Sequence, residues 1–174
     1  MYLLAQYHIW GGADHAYFTP NDFVRTWVYD RDPGTAWTWF DAIGFDIGKP
    51  TIGGVKLDGT IGADAWGESC ATSRKAYEMW RDPDSPKERL YARRYDRAYT
   101  VMRMRPSYQN EFAAGTAKRA FSMPFSFRLL RADGTLSAAT NVVELARAEG
   151  AILVIADPTN PPPSAPGGLK LNVK

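Results

Sequence analysis

The residues best able to bind a metal ion lie in the segment HIWGGADH, which contains both histidines of the chain. Imidazole and carboxylate groups are ordinary zinc ligands, so His8, Asp14 and His15 could share a cation if the backbone brought them together. The two histidines are seven positions apart across Gly11 and Gly12, a spacing that matches no common ligand pattern. We therefore interpret His8 as a strand end and His15 as part of a turn, and we predict no metal and no cofactor.

Pairs of carboxylates are a second candidate for chemistry. Asp64 and Glu68 could act as the acid and base of a glycosidase, a reaction that requires only two suitably placed carboxyl groups. The segment DRDPG, with Asp30 and Asp32, has the paired aspartates that some enzymes use for a metal–nucleotide complex, but its composition favours a tight turn. Because the chain has 19 acidic residues, such pairs have little specificity. We predict that the protein is not an enzyme, with a carboxylate-pair glycosidase as the open alternative.

Nucleophiles and phosphate-binding loops have less support. The sequence contains neither a Walker-type glycine loop nor a Gly-x-Ser-x-Gly motif. Cys70 is the only cysteine, which excludes an internal disulfide and a cysteine-based zinc site. A reactive thiol would require a nearby base, so we expect Cys70 to be a free, buried thiol on a helix.

The segment from residue 87 to residue 105, KERLYARRYDRAYTVMRMR, concentrates positive charge. It holds seven of the 21 basic residues and two of the 19 acidic ones, so it carries +5 while the rest of the chain carries −3. Its arginines and tyrosines could bind nucleic acid through phosphate contacts and base stacking. A net charge of only +2 argues against a dedicated nucleic-acid binder. We predict instead that the arginines face carboxylates of a neighbouring subunit.

Residues 55–66, VKLDGTIGADAW, resemble the Asp-Gly-x-x-Gly-x-x-x-Trp element of small peptidoglycan-binding modules. In those modules the element joins short helices of a three-helix domain. The resemblance implies a protein that binds or cleaves the cell wall. It covers 12 residues, and the flanking sequence here predicts β-strands.

The hydrophobic pattern predicts an α+β fold, with a mainly antiparallel β-sheet or sandwich and two central helices. Strands are predicted in residues 1–10, 23–29 and 36–40, and Asp58-Gly59 and Asp133-Gly134 predict two hairpin turns. The helices are predicted over residues 68–81 and 86–99, the second starting at a capping box from Ser85 to Glu88. Residues 141–150 fit either a short helix or part of a hairpin, and residues 151–156 a buried strand.

The last residues differ from the rest in composition. PTNPPPSAPGGLKLNVK, residues 158–174, holds five of the twelve prolines and is incompatible with a helix or a central strand. We predict one domain over residues 1–157, followed by an extended Pro-rich C-terminal arm that lies on a neighbouring subunit. Within the arm, LKLNV could add to a sheet as an edge strand.

The predicted location follows from what the sequence lacks. The first ten residues have no basic start typical of a secretory leader, and no apolar run approaches the roughly 20 residues of a membrane helix. We expect a protein made in the cytoplasm without a leader, with no membrane partner.

Together these features suggest a structural subunit of a multi-copy assembly, and a tailed-bacteriophage virion component is our first choice. The roles of tail, baseplate, connector and capsid-associated protein remain open. Expected partners are copies of itself and other subunits of the assembly, not nucleic acid. The predicted interface comprises Arg89, Arg93, Arg97, Arg103, Arg105, Pro161, Pro162, Pro163, Leu169, Leu171 and Val173. The alternatives are a peptidoglycan-binding or peptidoglycan-cleaving protein and a nucleic-acid-binding protein that uses the Arg89 to Arg105 stretch.

Overall fold

The computed structural model of the protein describes residues 45–104, 117–147 and 149–155, together with Ala5, Ile9 and Ala42. This part contains six strands: β1 (Tyr77–Arg81), β2 (Arg89–Arg94), β3 (Ala98–Arg103), β4 (Arg119–Leu130), β5 (Leu136–Leu145) and β6 (Gly150–Ile155). They form one sheet in the order β1-β2-β3-β6-β4-β5, with every neighbouring pair antiparallel. The mainly antiparallel β architecture predicted from the sequence is confirmed.

The two predicted helices are wrong. Residues 77–81 of the first range form β1, and the second range contains β2 and the start of β3. In β2 the side chains alternate: Leu90 and Ala92 are fully buried, whereas Arg89 and Tyr91 are partly exposed. This two-residue period is that of a strand, and pairing with β3 stabilises it.

The predicted capping box from Ser85 to Glu88 belongs to the turn between β1 and β2. The Glu88 N–H donates to the Ser85 carbonyl at 2.8 Å, and the Asp82 carboxylate accepts from the N–H groups of Asp84 and Ser85 at 2.9 and 3.2 Å. Acidic and hydroxyl side chains bind free backbone N–H groups in turns as readily as at helix starts. The motif therefore has two structural solutions, and the chain adopts the turn.

Both predicted Asp-Gly turns are confirmed, and they have the same geometry. Gly59 and Gly134 have φ angles of 82° and 78°, a left-handed conformation that glycine adopts without strain. In each turn the preceding aspartate accepts hydrogen bonds from the N–H and hydroxyl of the following threonine, at 2.6–2.9 Å. The second turn joins β4 to β5, so a local signal correctly predicted the longest hairpin of the sheet.

Residues 141–145 continue β5, so the helix starting at Asn141 does not form, and the segment is not half of a hairpin that turns at Glu149-Gly150 either. The turn before β6 includes a hydrogen bond from the Glu149 N–H to the Ala146 carbonyl at 3.2 Å. β5 and β6 do not pair with each other, because β4 lies between them. The predicted buried strand is confirmed: β6 is buried on both faces from Gly150 to Val154.

Apolar side chains cover both faces of the sheet. The inner cluster comprises Cys70, Tyr77, Met79, Leu90, Ala92, Tyr99, Val101, Phe121, Met123, Phe127, Val143, Leu145, Ala151 and Leu153. The outer cluster comprises Ala42, Phe45, Ile47, Tyr95, Ala98, Leu130, Ile152 and Val154. Strands β3 and β6 lie at the centre of the sheet and contribute to both clusters, which explains why they are the most deeply buried elements.

The sheet curls so that side chains near its two ends meet. Trp80 of β1 packs edge-on against Phe121 of β4, with ring centroids 5.3 Å apart. The pairing of β4 with β5 is interrupted between Ser122 and Phe127, a stretch that contains Pro124, which has no N–H to donate. The half of β4 before this irregularity contributes Phe121 and Met123 to the inner cluster.

Several predictions concern residues that the structure does not describe. The strands predicted in residues 23–29 and 36–40, the arm in residues 158–174 and the metal candidates His8, Asp14 and His15 all lie outside the described residues. So do Asp30 and Asp32. In the first predicted strand only Ala5 and Ile9 are described; both are buried and have helical backbone.

Candidate subunit interface

Arg89 and Arg93, four positions apart, lie on the same face of strand β2 rather than on successive turns of a helix. The Arg89 guanidinium donates to the Tyr91 hydroxyl at 3.0 Å and the Pro86 carbonyl at 3.2 Å, and lies 3.5 Å from the Glu78 carboxylate. Arg93 donates to the carbonyl of Arg74 at 3.1 Å. Both side chains are therefore held by groups of their own chain.

Arg97 lies in the tight turn between β2 and β3. Its guanidinium is 2.9 Å from the Asp46 carboxylate, and both side chains are about half exposed, at 45% and 62%. Such a pair contributes little to stability and can exchange its partner for another carboxylate. Arg105 lies outside the described residues.

Arg103 is buried. Its guanidinium pairs with the Glu88 carboxylate, at 2.7 Å from Nε to Oε1, and donates to the Leu145 carbonyl at 2.7 Å. The two charged side chains are only 7% and 4% exposed. The carboxylate that Arg103 contacts belongs to its own chain, and the arginine joins the ends of β3 and β5. We therefore remove Arg103 from the proposed contact surface.

The described part of the basic segment is a β-hairpin whose arginines are engaged internally. Arg94 points to the inner side, where it donates to the Gly53 carbonyl at 3.0 Å and lies over the Tyr99 ring. A phosphate-binding surface requires guanidinium groups that are available to solvent along one track. In the described residues, these arginines neutralise carboxylates and bind carbonyls of the same molecule.

The outer edge of β5 was not singled out by the sequence. β5 pairs with β4 on one side, and no strand pairs with its other side in the part of the chain that the structure describes. Five successive residues are exposed: Ala138, Ala139, Thr140, Asn141 and Val142. Natural proteins protect such edges with lysine, proline or a covering loop. β5 carries no charge before Glu144 and contains no proline.

The opposite edge of the sheet is covered. β1 is bridged by Asp64, which pairs with Tyr77, and the Leu57 N–H approaches the Met79 carbonyl at 3.4 Å. Residues 53–76 therefore form a loop layer over this edge. The contrast identifies β5 as the open edge within the described residues, and its signal in the sequence is the uncharged run LSAATNVV.

Trp66 is the most exposed large apolar residue that the structure describes, at 79%. It lies on a turn organised by Asp64, whose carboxylate accepts from the N–H groups of Trp66 and Glu68 at 2.8 and 3.0 Å. The Ser73 hydroxyl donates to the other oxygen at 2.9 Å. A fixed turn thus presents an indole to solvent, with the Lys75 ammonium 5.9 Å from the ring centre.

The environment of Asp64 bears on the glycosidase alternative. Burial would raise the pKa of Asp64, but the hydrogen bonds from Ser73, Trp66 and Glu68 outweigh it and hold the pKa below its usual value. A general acid in a glycosidase requires a raised pKa. Asp64 is therefore suited to organise its turn rather than to donate a proton.

Residues 55–66 also bear on the resemblance to peptidoglycan-binding modules. In those modules the element joins helices, whereas here it forms the Asp58-Gly59 turn and bridges between Val55 and Ile61 and between Ala63 and Ser69. The three-helix arrangement is absent from this segment. The exposed Trp66 is the feature that remains in favour of the resemblance.

The described residues show neither a metal-binding cluster nor a membrane-spanning helix. No group of three or more metal-ligating side chains occurs there. No helix within these ranges has the length and apolar composition needed to cross a bilayer.

Comparison with family models found no match for the chain, and searches of curated proteins and of solved structures found no similar protein. Function therefore has to be inferred from the geometry of the surface.

Proposed function

We propose that the protein is a non-enzymatic structural subunit of a multi-copy assembly. The open, uncharged edge of β5 carries this proposal, because an unprotected strand edge is a template for main-chain pairing with another chain. Its exposed side chains are small or apolar, so an added strand would meet little steric or electrostatic resistance. The arginines of β2 and β3 bind groups of their own chain, so they hold the domain rigid rather than form the main contact with another subunit.

Within this class we propose a component of a tailed-bacteriophage virion, in a tail, baseplate, connector or capsid-associated position. The support is the combination of a β-rich domain and a Pro-rich segment suited to lie on neighbours. The final location of the protein would then be the virion.

Oligomeric state tests the proposal. The full-length protein should form a defined oligomer in size-exclusion chromatography with light scattering. Replacing Ala139 with lysine places a charge on the exposed part of β5 and should shift the population at least tenfold towards monomer. Ala71→Lys, at an exposed site in the loop layer, is the matched control and should leave the oligomer intact. A monomer at all protein concentrations would overturn self-assembly.

A cell-wall-binding protein is the second candidate, and the exposure of Trp66 favours it. Indole rings on fixed turns are effective binding surfaces because they offer a large area at low conformational cost. Purified protein should then sediment with peptidoglycan, and Trp66→Ala should abolish sedimentation. Equal recovery of both variants in the supernatant would remove this candidate.

A nucleic-acid-binding function has the weakest support of the three. The described arginines of the basic segment have acceptors within the chain. Any residual affinity for DNA or RNA should fall steeply with salt. Changing Arg93 and Arg97 to glutamate should leave such binding unaltered if the arginines play no part in it.

A further inference from the structure

We infer that the open edge of β5 accepts residues 169–173 of a neighbouring copy as an added antiparallel strand. This inference rests on the proposed function, since it names the partner that would occupy the β5 edge. In this arrangement residues 169–173 are the donor strand and β5 of the neighbouring copy is the acceptor strand.

The sequence of the donor is suited to an edge position. Leu169, Leu171 and Val173 alternate with Lys170 and Asn172, which is the period of a strand with one apolar and one polar face. An added strand would place its apolar side chains towards the body of the acceptor and its lysine towards solvent. A terminal lysine-bearing strand would also protect the new edge against further pairing.

The charges of donor and acceptor are complementary. The only ionisable residue of β5 is Glu144. The donor contains Lys170 and no acid, and Lys174 follows it directly. Opposite charges across a strand pair stabilise it, whereas like charges destabilise it. The absence of arginine and lysine from β5 leaves nothing there to repel this donor.

The chain between β6 and the donor is long enough to reach another molecule. β6 ends at Ile155, which pairs with Phe127 of β4, which in turn pairs with Thr140 of β5. The chain therefore leaves β6 about two strand spacings, or about 10 Å, from the exposed part of β5. Residues 156–168 can span about 40 Å when extended.

The composition of this connection favours a neighbour over the same molecule. A run of three prolines, Pro161, Pro162 and Pro163, favours a semi-rigid extended spacer that resists turning back. A donor on one copy and an acceptor on the next make a head-to-tail contact, which generates rings when the rotation closes and filaments when it does not. The inference thus predicts an assembly in which every subunit gives and receives one strand.

Disulfide trapping tests the inference. One protein carries Asn172→Cys in the donor, and a second carries Thr140→Cys, Asn141→Cys or Val142→Cys in β5, so that successive registers are sampled. The two proteins are dissociated, mixed, reassembled and oxidised, and cross-linked chains are identified by non-reducing electrophoresis and mass spectrometry. Lys87→Cys, at an exposed site in the β1–β2 turn, replaces the β5 variant as the control.

The native thiol does not interfere with this experiment. Cys70 is 1% exposed, and burial raises the pKa of its thiol to about 11. Little thiolate is therefore available for exchange at neutral pH. Any cross-link reports the introduced pair.

The expected result is a cross-link between different chains at one β5 position, at least tenfold more abundant than with the Lys87→Cys control. Four results would overturn the inference. Linkage within one chain, in a variant that carries both cysteines, would mean that the segment covers its own β5. Linkage between two β5 strands would mean that the acceptor pairs with a second acceptor. An oligomer without any cross-link to β5 would reject residues 169–173 as the donor but would not contradict the proposed function. A monomer would reject both the donor and the proposed function.

Discussion

Two glycines of the loop layer have ordinary backbone angles, and their requirement for glycine comes from the ring of Tyr77. A Cβ atom at Gly62 would lie 2.3 Å from a ring carbon, and one at Gly54 would lie 2.5 Å from another. The ring lies between the two backbones, and its hydroxyl donates to the Val55 carbonyl at 2.7 Å. Tyr77 cannot move aside, because it is fully buried in the inner cluster.

Gly62→Ala should therefore destabilise the fold by about 2–3 kcal/mol, since overpacking of a rigid site cannot be relieved locally. Gly67→Ala is a useful control, because Gly67 has a φ of 82° but open space around its Cα. That substitution should cost about 1 kcal/mol from backbone strain alone. Urea unfolding measures both values, and equal losses would contradict the role assigned to the Tyr77 ring.

Acid should weaken the loop layer through Asp64. Its pKa is lower in the folded protein than in the unfolded chain, because its hydrogen bonds outweigh its burial. The unfolded state therefore takes up the proton first as the pH falls, so the stabilisation present at neutral pH is lost below about pH 4. Asp64→Asn should reduce the dependence of the unfolding free energy on pH between about pH 5 and pH 2. Equal pH profiles of the unfolding free energy for Asp64→Asn and the native chain would contradict this role.

At the scale of elements, one buried ion pair joins the ends of three strands. Glu88 precedes β2, Arg103 ends β3, and Arg103 also donates to the carbonyl of Leu145 at the end of β5. Arg147 lies 3.7 Å from the second oxygen of Glu88. Removing one member of a buried pair leaves an uncompensated charge, whereas replacing both can be nearly neutral.

Arg103→Met should accordingly cost about 3 kcal/mol or more, because Glu88 would keep only its longer contact with Arg147. The double substitution Glu88→Leu and Arg103→Met should recover most of this loss. Arg97→Met provides the comparison with an exposed pair and should cost less than about 1 kcal/mol. If Arg103→Met were as mild as Arg97→Met in urea unfolding, the pair would not connect the strands in solution.

The sequence predicts the type of an element where a local signal determines it. It does not do so where the hydrophobic pattern fits both the helix period and the strand period. Both Asp-Gly turns were predicted because left-handed backbone restricts the residue type. Tyr91, Tyr95 and Ala98 fit a helical stripe, yet the strand period in β2 also accounts for Tyr91. Pairing of β2 with β3 and β1 decides between the two, and that contribution is non-local.

The candidate site was predictable only in part. The sequence shows where the arginines concentrate, but not that Arg103 would be buried against Glu88, because a partner 15 residues away is visible only in the folded sheet. It shows that β5 carries no charge before Glu144, but not that β6 would insert on the far side of β4. That insertion makes β5 an edge strand, and strand order does not follow from local pattern.

At the scale of the whole molecule, residues 158–174 have the Pro-rich composition of an extended segment rather than that of a core element. A chain that ends after Pro158 should therefore keep its fold, with a thermal unfolding midpoint within a few degrees of the native value. It should nevertheless lose assembly, as should the Ala139→Lys variant, because donor and acceptor are both required.

Mixing these two defective chains separates the roles, since each retains the half that the other lacks. The truncated chain still offers β5, and Ala139→Lys still carries the donor, so together they should form a dimer that neither forms alone. Head-to-tail pairing predicts that this dimer grows no further, because its free acceptor is blocked and its free donor is missing. Light scattering of the mixture measures this directly, and a mixture that stays monomeric, or a truncated chain that fails to fold, would contradict the separation of domain and donor.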